Sequence, residues 1–543
     1  MKKTLAKALG VASVSLLSLS MMGIGMAPAF AAQGAPLTIE AQESPSWVDN
    51  FNPLVVGNLQ SPTGVIYESL FYFSTTGQKY PLLGTSYSWN GNDTVLTVQI
   101  RKGVKWSDGK PFTAQDVAFT YNLLKKYPAA DLNGVWKQIK SVKAVGNSVV
   151  FTFTTVNTPF YQILIGQVPI LPQHIWSSVG DPTKFADANP VGTGPYTLMN
   201  FSTQDYKLKA NPHYWGGMPP VPVLNYPALA SNTSADLLLS SGKLDWAGLF
   251  VTNIKNIYVA KDPAHNQYWF PAVGDVSVFP NLKNPLLSNL TVRKAMSLAI
   301  NRQQIQNIGE YGYEAPASTV GLVLPQYKAW LNPAAGATNF AYNVNLANAM
   351  LDKAGFKKGP DGIRAKGGQK LEFNLIAPAG WTDWNEDQSL VAADLQQIGI
   401  KVNVQQVQQS SWQNQLSNHT FQLAIETAYD NFSGNMPFSG FNNSLLSTSI
   451  QNYEGVKNAA IDSALNAFQH TSNKAIQKKA MYKIESFVQT QLPVIPLVYA
   501  ANWYEFNTKH YTGWPSASNP IVDAPPYNAF STGIVLMHLK PVK

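Results

Sequence analysis

The sequence contains no cysteine. Disulfide bonds, thiolate metal sites and cysteine nucleophiles are therefore excluded, and so is membrane attachment through an acylated N-terminal cysteine. Charged residues are scarce, at 13% of the chain, and the seven histidines are scattered singly. Because no His-Glu-x-x-His or similar close pair occurs, the sequence does not predict a metal site.

Long apolar runs are also missing beyond the N-terminus. Lys2, Lys3 and Lys7 precede an apolar stretch from about residue 11 to 26, and Ala29-Phe30-Ala31 follows as a cleavage pattern. This order predicts a secretory signal peptide over residues 1–32, because the apolar stretch is shorter than the roughly 20 residues that a spanning helix needs. We expect an exported protein in the periplasm or at the cell wall. The remaining chain is long enough for two or three domains.

Positive charge is in mild excess and is spread thinly. Without the predicted leader, 36 basic residues stand against 31 acidic ones. No run of Lys and Arg resembles a nucleic-acid patch, so we expect no nucleic-acid partner.

The first half of the chain has the periodicity of an α+β unit. Residues 95–100 and 148–154 alternate apolar and polar side chains, which predicts two strands with one buried face. Between them, Thr113 and Asp116 form a capping box that predicts a helix running to about Lys126.

The second half predicts strands separated by helices. We expect strands at residues 371–377, 400–407 and 421–427, with a helix at 387–398. This alternation predicts βαβ units and a mostly parallel sheet, hence an α/β fold. Further amphipathic helices are expected at residues 291–307, 345–354 and between about 456 and 489.

Two segments follow predicted strands at the edge of the sheet where open α/β sheets bind ligands. Trp381, Asp383 and Trp384 come after the first strand, and Tyr429 and Asp430 after the third. Among the 14 tryptophans of the chain, this pair is placed to offer flat apolar faces, with polar groups beside them, as a sugar site requires.

Several signatures of catalysis are incomplete. Residues 103–110 have the wrong glycine spacing for a phosphate-binding loop, and Pro111 stands where Ser or Thr would hold magnesium. Asp383, Glu386 and Asp387 are the main enzymatic alternative, as an acid/base pair of a glycosidase. Acidic residues just before a helix also act as caps and dipole partners, and we predict no catalytic residue.

Six segments, taken in order, resemble the family-5 extracellular solute-binding proteins of ABC transporters, which serve peptide, nickel and oligosaccharide importers. They are GVKWSDGKPF from Gly103 with TAQDVAFTYN after it, Gly192 to Tyr196, Asn211 to Trp215, Val292 to Arg302, Met350 to Phe356, and Leu492 to Leu497.

This resemblance implies a two-lobed periplasmic-binding-protein fold of type II, cluster C, with three domains and a hinged ligand cleft. Domain I would be discontinuous, over residues 33–78, 192–285 and 500–543. Domain II would span 79–191, and domain III 286–499. The family also implies that the lobes close on a ligand and deliver it to a membrane permease.

Within the family, the sequence is most similar to the cello-oligosaccharide-binding proteins. The resemblance implies that Trp381 stacks on a sugar ring and that Asn232 binds hydroxyl groups, with Trp47, Trp246 and Trp503 as further candidates. We therefore expect a monomeric binder of an oligosaccharide, with no cofactor.

Two alternatives stay open. Peptide binders of the family hold the amino terminus of the peptide with an Asp in a loop like that of Tyr429 and Asp430, so an oligopeptide is the second candidate ligand. A secreted glycoside hydrolase is the alternative from a different functional class.

Overall fold

The computed structural model describes residues 34–41, 43–55, 63–324, 326–430 and 436–542. The predicted signal peptide, residues 1–32, lies outside the described residues. Within the described ranges the chain folds into several sheets with helices packed between and around them.

The α-helices differ widely in length, from single turns to 18 residues. Their bounds are Ala114–Lys126, Val135–Gln138, Tyr161–Gly166, Gln173–Trp176, Asn232–Ser240, Ile254–Ile257, Leu290–Ala299, Arg302–Gln304, Val344–Lys353, Thr382–Gln397, Gln409–Ser417, Phe438–Leu445, Ala459–Gln469, Lys474–Gln491 and Ala529–His538.

The capping box at Thr113 is confirmed. The Thr113 side chain accepts a hydrogen bond from the backbone N–H of Gln115 (3.2 Å), and the Asp116 carboxylate accepts one from the N–H of Thr113 (2.8 Å). These bonds satisfy amide groups that the first turn of a helix leaves free, so the helix begins at Ala114.

The helix expected at residues 291–307 is shorter than predicted. It ends at Ala299 because Ile300 adopts an extended backbone, and Asn301 caps a separate turn, Arg302–Gln304, by accepting from the Gln304 N–H (3.2 Å). A π-helical turn, Ile305–Gly309, follows. A capping Asn inside an apolar repeat is a local signal that periodicity alone does not register.

Two sheets of four strands each lie in the first half of the chain. One is antiparallel throughout and contains both predicted strands; in spatial order it is Gly84–Trp89, Val95–Ile100, Ser148–Phe153 and Ile139–Val145. The other has the spatial order Leu37–Thr38, Val223–Pro227, Asp205–Ala210 and Tyr196–Phe201.

The central sheet has five strands, in the spatial order Lys401–Val407, Glu372–Pro378, Leu423–Ala428, Ala272–Pro280 and Ile495–Ala501. Its first three strands are parallel, as predicted, but Ala272–Pro280 is antiparallel to both of its neighbours. The sheet is therefore mixed rather than mostly parallel, because a strand from well upstream in the sequence enters its middle.

The remaining strands form small sheets. Trp246–Ala247, Glu505–Asn507 and Asn266–Tyr268 belong to one, and Lys357–Lys358, Arg364–Lys366 and Gln369–Lys370 to another. Two-stranded pairs are Phe71–Phe73 with Lys79–Pro81, and Tyr511–Thr512 with Lys540–Pro541.

The apolar core of the described residues falls into separate clusters. The largest two draw on residues 37–226 with residues 246 and 504–539, and on residues 276–500. The second cluster is formed around the central sheet, within the bounds predicted for domain III apart from residues 276, 278, 279 and 500.

Among the described helices, none combines the length and the apolar character needed to cross a lipid bilayer.

Candidate functional site

A cavity of about 350 Å³ opens at one edge of the central sheet. The carboxyl ends of Glu372–Pro378, Leu423–Ala428 and Ile495–Ala501 meet there with the beginning of Ala272–Pro280. Its lining comprises Glu40, Ala41, Glu43, Asn232, Gly248, Leu249, Phe250, Val273, Val276, Glu314, Trp381, Asp383, Trp384, Gln409, Thr427, Ala500, Ala501, Trp503 and Tyr527. This is the sheet edge at which the sequence predicted a ligand.

Trp381 and Trp384 both line this cavity. Gly380 has a φ of 91°, which a side chain would disfavour, and this turn joins the strand to a helix that begins at Thr382, five residues earlier than predicted. Trp384 therefore lies on the first helical turn and not in a loop. We refer to Thr382–Gln397 as the site helix.

The two indoles of the site helix differ in what they can offer a ligand. Their ring centroids are 4.7 Å apart at 70°, and Trp412 packs against both at 6.0 and 6.1 Å. Trp384 is only 7% exposed, whereas Trp381 is half-buried. Trp381 is therefore the ring with surface available for stacking, and Trp384 with Trp412 holds it in place.

Trp503 belongs to a second aromatic group on the cavity wall. Its ring packs edge-on against Phe250 at 5.3 Å, and its backbone N–H donates to the hydroxyl of Tyr527 (3.0 Å). Phe250 and Tyr527, which the sequence analysis did not single out, also line the cavity. The wall formed by Phe250, Trp503 and Tyr527 thus adds apolar faces to those of the site helix.

Asn232 lines the cavity as the first residue of the helix Asn232–Ser240. Ser231 caps that helix by accepting from the Ser234 N–H (3.4 Å), which fixes the position of Asn232. Glu43 lines the same cavity, and the backbone N–H of Asn232 and the indole of Trp381 both favour its charged form. Glu43 therefore links two segments 149 residues apart in sequence.

The cavity is lined by four carboxyl groups, those of Glu40, Glu43, Glu314 and Asp383. Burial, with a contribution from Asp383, raises the pKa of Glu43 to about 7, and burial raises the pKa of Asp383 to about 6. Burial together with the charges of Asp383 and Asp387 raises the pKa of Glu314 well above its ordinary range. No Lys, Arg or His is among the described residues that line the cavity.

Two further carboxyl groups, of Glu310 and Asp387, lie behind the first four. Both side chains are fully buried, and none of their four carboxyl oxygens has a hydrogen-bond partner among the described residues. Burial is the main reason that the pKa of each is raised. The cavity is thus backed by two buried acids whose neutral form is favoured.

The tryptophans Trp47 and Trp246, two further candidates for ligand contact, lie in the hydrophobic core and do not line this cavity. Trp47 is 5% exposed; its indole donates to the Tyr226 carbonyl (3.0 Å). Trp246 is fully buried and donates to the Ala524 carbonyl (3.1 Å). Both indole N–H groups are satisfied by backbone, as buried Trp requires.

Tyr429 and Asp430 follow the strand Leu423–Ala428 but are not among the cavity-lining residues. Tyr429 has a φ of 55° and turns its ring onto Phe441 at 4.9 Å. The backbone of Asp430 packs closely against Gly274, since a Cβ added at Gly274 would lie 2.8 Å from the Asp430 Cα. Burial raises the pKa of Asp430 to about 6. Contact of Tyr429 and Asp430 with a ligand stays a prediction.

The proposed glycosidase carboxyls are not brought together at the cavity. Asp383 lines it, Glu386 is exposed, and Asp387 is buried against Glu310. Among the described residues, no group of three or more His, Asp or Glu is arranged to hold a metal ion.

Comparison with known proteins gives one family. The model of the bacterial extracellular solute-binding proteins, family 5, matches residues 78–451. Among curated proteins, the oligopeptide-binding protein AppA of Bacillus subtilis is 26% identical over 490 residues, which cover 83% of this chain and 86% of AppA.

Solved structures share the fold. A periplasmic oligopeptide-binding protein of an ABC transporter from Thermotoga maritima, with mannohexaose bound, has a TM-score of 0.84 at 25% identity and covers 94% of this chain and 99% of its own. AppA from Bacillus subtilis in complex with a nonapeptide has a TM-score of 0.79 at 23% identity, with 94% and 99% covered. The α/β periplasmic-binding-protein fold expected from the sequence is confirmed.

Proposed function

The chain belongs to family 5 of the bacterial extracellular solute-binding proteins, and from that premise we propose that its cavity captures a short oligosaccharide. Members of the family are substrate-binding components of ABC transporters, not enzymes, and they deliver a peptide or an oligosaccharide to a permease. The choice between these two ligands is the proposal.

The observation that carries the proposal is the half-buried ring of Trp381 in the cavity lining, beside other aromatic rings. Trp503 and Phe250 supply further apolar faces, and Asn232, Gln409 and Thr427 supply groups that bond hydroxyls. Burying one face of a sugar against an indole contributes about 1–3 kcal/mol, by analogy with other aromatic burial. Stacking with hydroxyl recognition is the binding mode that fits this lining.

The described lining of the cavity also lacks a cationic side chain that could pair with the carboxylate of a peptide. None of its described lining residues is a cation, and the internal residues outside the described ranges (42, 56–62, 325 and 431–435) include no Lys, Arg or His. A volume of about 350 Å³ lies near the lower end of the roughly 300–1,000 Å³ typical of ligand pockets. Both features favour a short neutral or cationic ligand.

An oligopeptide is the second candidate. Its support is the likeness to the oligopeptide-binding protein AppA, over 83% of this chain. Asp430 is the residue expected to hold the amino terminus of a peptide. It packs against Gly274 and is not among the cavity-lining residues, which does not favour a peptide ligand.

The proposal includes the domain organisation and the cellular route. We propose a monomer with the domain bounds given above, whose lobes close by hinge motion on the ligand. We also propose export through removal of residues 1–32, and retention outside the membrane without a lipid on cysteine, since the chain has none. Mass spectrometry of the purified native protein would test the cleavage site.

Titration calorimetry tests the ligand class. We expect micromolar binding of cellotriose or another trisaccharide and no heat from a mixture of tripeptides. Micromolar peptide binding with no heat from any oligosaccharide would contradict the proposal and establish the second candidate. The ligand that co-purifies with the protein from its own host gives an independent answer.

A further inference from the structure

The carboxyl group of Glu314 has one oxygen without a partner on the cavity wall. Its side chain is 4% exposed; one oxygen accepts a hydrogen bond from the backbone N–H of Ala501 (2.5 Å). The second oxygen is buried and has no hydrogen-bond partner among the described residues, although the side chain lines the cavity. A buried, unsatisfied carboxyl oxygen is costly, so this atom is suited to a donor brought by a ligand.

The surroundings of Glu314 make that donor a cation. Asp383 and Asp387 act on Glu314 electrostatically, and Glu40 and Glu43 line the same cavity. The chain as a whole has more basic than acidic residues, 39 against 31, yet none of the basic ones described lines this cavity. Neutral hydroxyl groups would leave the charged form of these carboxyl groups unfavourable, whereas an ammonium group would pair with that form and stabilise it.

We propose that the cavity is selective for oligosaccharides that carry a free primary amino group, as in glucosamine oligomers, with the ammonium seated against Glu314 and Asp383. The sugar ring would stack on Trp381, which lines the same cavity. This inference rests on the proposed oligosaccharide function and adds the class of sugar.

Binding of an ammonium group is expected to displace protons from the carboxyl groups of the cavity. Burial raises the pKa of Asp383 to about 6, and burial with the neighbouring carboxyl charges raises the pKa of Glu314 well above its ordinary range, so part of the carboxyl population holds protons in the free protein. The other titratable groups facing or backing the site are Glu40, Glu43, Glu310, Asp387 and Tyr527. Seating an ammonium group favours the carboxylate form, so protons are released on binding.

Calorimetry with three matched trisaccharides tests the selectivity: the glucosamine trimer, its fully N-acetylated form, and cellotriose. We expect the glucosamine trimer to bind at least about tenfold more tightly than the other two, because one charge-assisted hydrogen bond contributes about that much. Equal or weaker binding of the glucosamine trimer would overturn the inference while leaving the oligosaccharide function intact. Binding of none of the three, with binding of tripeptides, would overturn the proposed function itself.

Matched variants locate the effect. Glu314→Gln is expected to bring the affinity ratio of the glucosamine trimer to cellotriose from about tenfold toward one. Glu485→Gln is the control, since Glu485 is also fully buried, with one oxygen accepting from the Asn332 N–H (2.8 Å) and the other unpartnered in the described structure, but it does not line the cavity. An unchanged ratio in Glu314→Gln, or an equal loss in Glu485→Gln, would overturn the assignment.

A measurement on the unmodified protein covers the case in which Glu314→Gln does not fold. Binding enthalpies in buffers of different ionisation enthalpy give the number of protons exchanged. At a pH low enough that the amino groups of the free trimer are already ammonium ions, we expect proton release with the glucosamine trimer and close to none with cellotriose. Equal proton exchange for both ligands would contradict an ammonium seated against the carboxyl groups.

Discussion

Two pairs of tryptophans in this chain lie in opposite surroundings. Trp47 packs against a tyrosine ring and Trp246 against a tryptophan ring, and both indole N–H groups donate to backbone carbonyls. Trp381 and Trp384 lie beside carboxyl groups at the cavity. The same residue type thus stabilises the fold in one place and forms a candidate ligand surface in the other, and the neighbouring residues make the difference.

The largest expected effect tests the core pair. Trp246 is in the strand paired with Glu505–Asn507, and its fully buried indole packs against Trp514. Trp246→Ala removes this indole, so the free energy of unfolding should fall by about 3–5 kcal/mol. Chemical denaturation followed by circular dichroism measures it. A loss below about 1 kcal/mol would mean that this indole packs less tightly than described.

For the cavity pair we expect the opposite result, a large effect on ligand affinity and a small effect on the free energy of unfolding. Trp381→Ala should lower oligosaccharide affinity by about 10- to 100-fold through lost stacking, and should change the free energy of unfolding by less than about 1 kcal/mol.

Trp330→Ala is the matched control for Trp381→Ala. Trp330 is another half-buried tryptophan, packed on Phe468 and remote from the cavity lining. It should leave affinity unchanged in calorimetry. Equal losses of affinity in the two variants would remove the distinction between cavity and core tryptophans.

A pH series sharpens the comparison further. The folded state raises the pKa of Glu43 to about 7 and of Asp383 to about 6, so between about pH 4 and 7 it binds more protons than the unfolded state. Stability is therefore highest below the ordinary carboxyl pKa and falls as pH rises. We expect Tm of the ligand-free protein to drop by about 5 °C from pH 5 to 8.

Glu43→Gln identifies the origin of this pH dependence. The amide keeps the size of the carboxyl group but does not titrate, so the drop in Tm should be smaller than in the unmodified protein. The exposed pairs Lys370–Asp361 and Lys401–Glu372 serve as the contrast, because their carboxyl pKa values are lowered. A Tm that rises from pH 5 to 8 would show that such lowered groups dominate.

Local sequence signals predicted local structure well. The capping box fixed the helix start at Ala114, and alternation located the strands at Val95–Ile100 and Ser148–Phe153. The helix after Pro378 begins at Thr382, five residues before the predicted start, although the sequence predicts a loop over Thr382 and Asp383. The antiparallel entry of Ala272–Pro280 was not predicted, since alternation within a strand carries no information about the direction of its neighbours.

The candidate site was predicted only in part. Trp381, Trp384, Asn232 and Trp503 line the cavity, whereas Trp47, Trp246, Tyr429 and Asp430 do not. The carboxyl groups of Glu43 and Glu314 were not found, because nothing in their local sequence marks them as close to Trp381 or Asp383. Their proximity to one another depends on segments hundreds of residues apart.

The sequence by itself determined the absence of cysteine chemistry, the helix and strand signals, the resemblance to family 5 and the placing of Trp381 after a sheet strand. Only the tertiary structure decided which tryptophans face a cavity and that four carboxyl groups share its wall with no cation among its described lining residues. The physical reason is that burial and pKa depend on three-dimensional neighbours, which long-range packing sets, whereas periodicity and capping depend on residues a few positions apart.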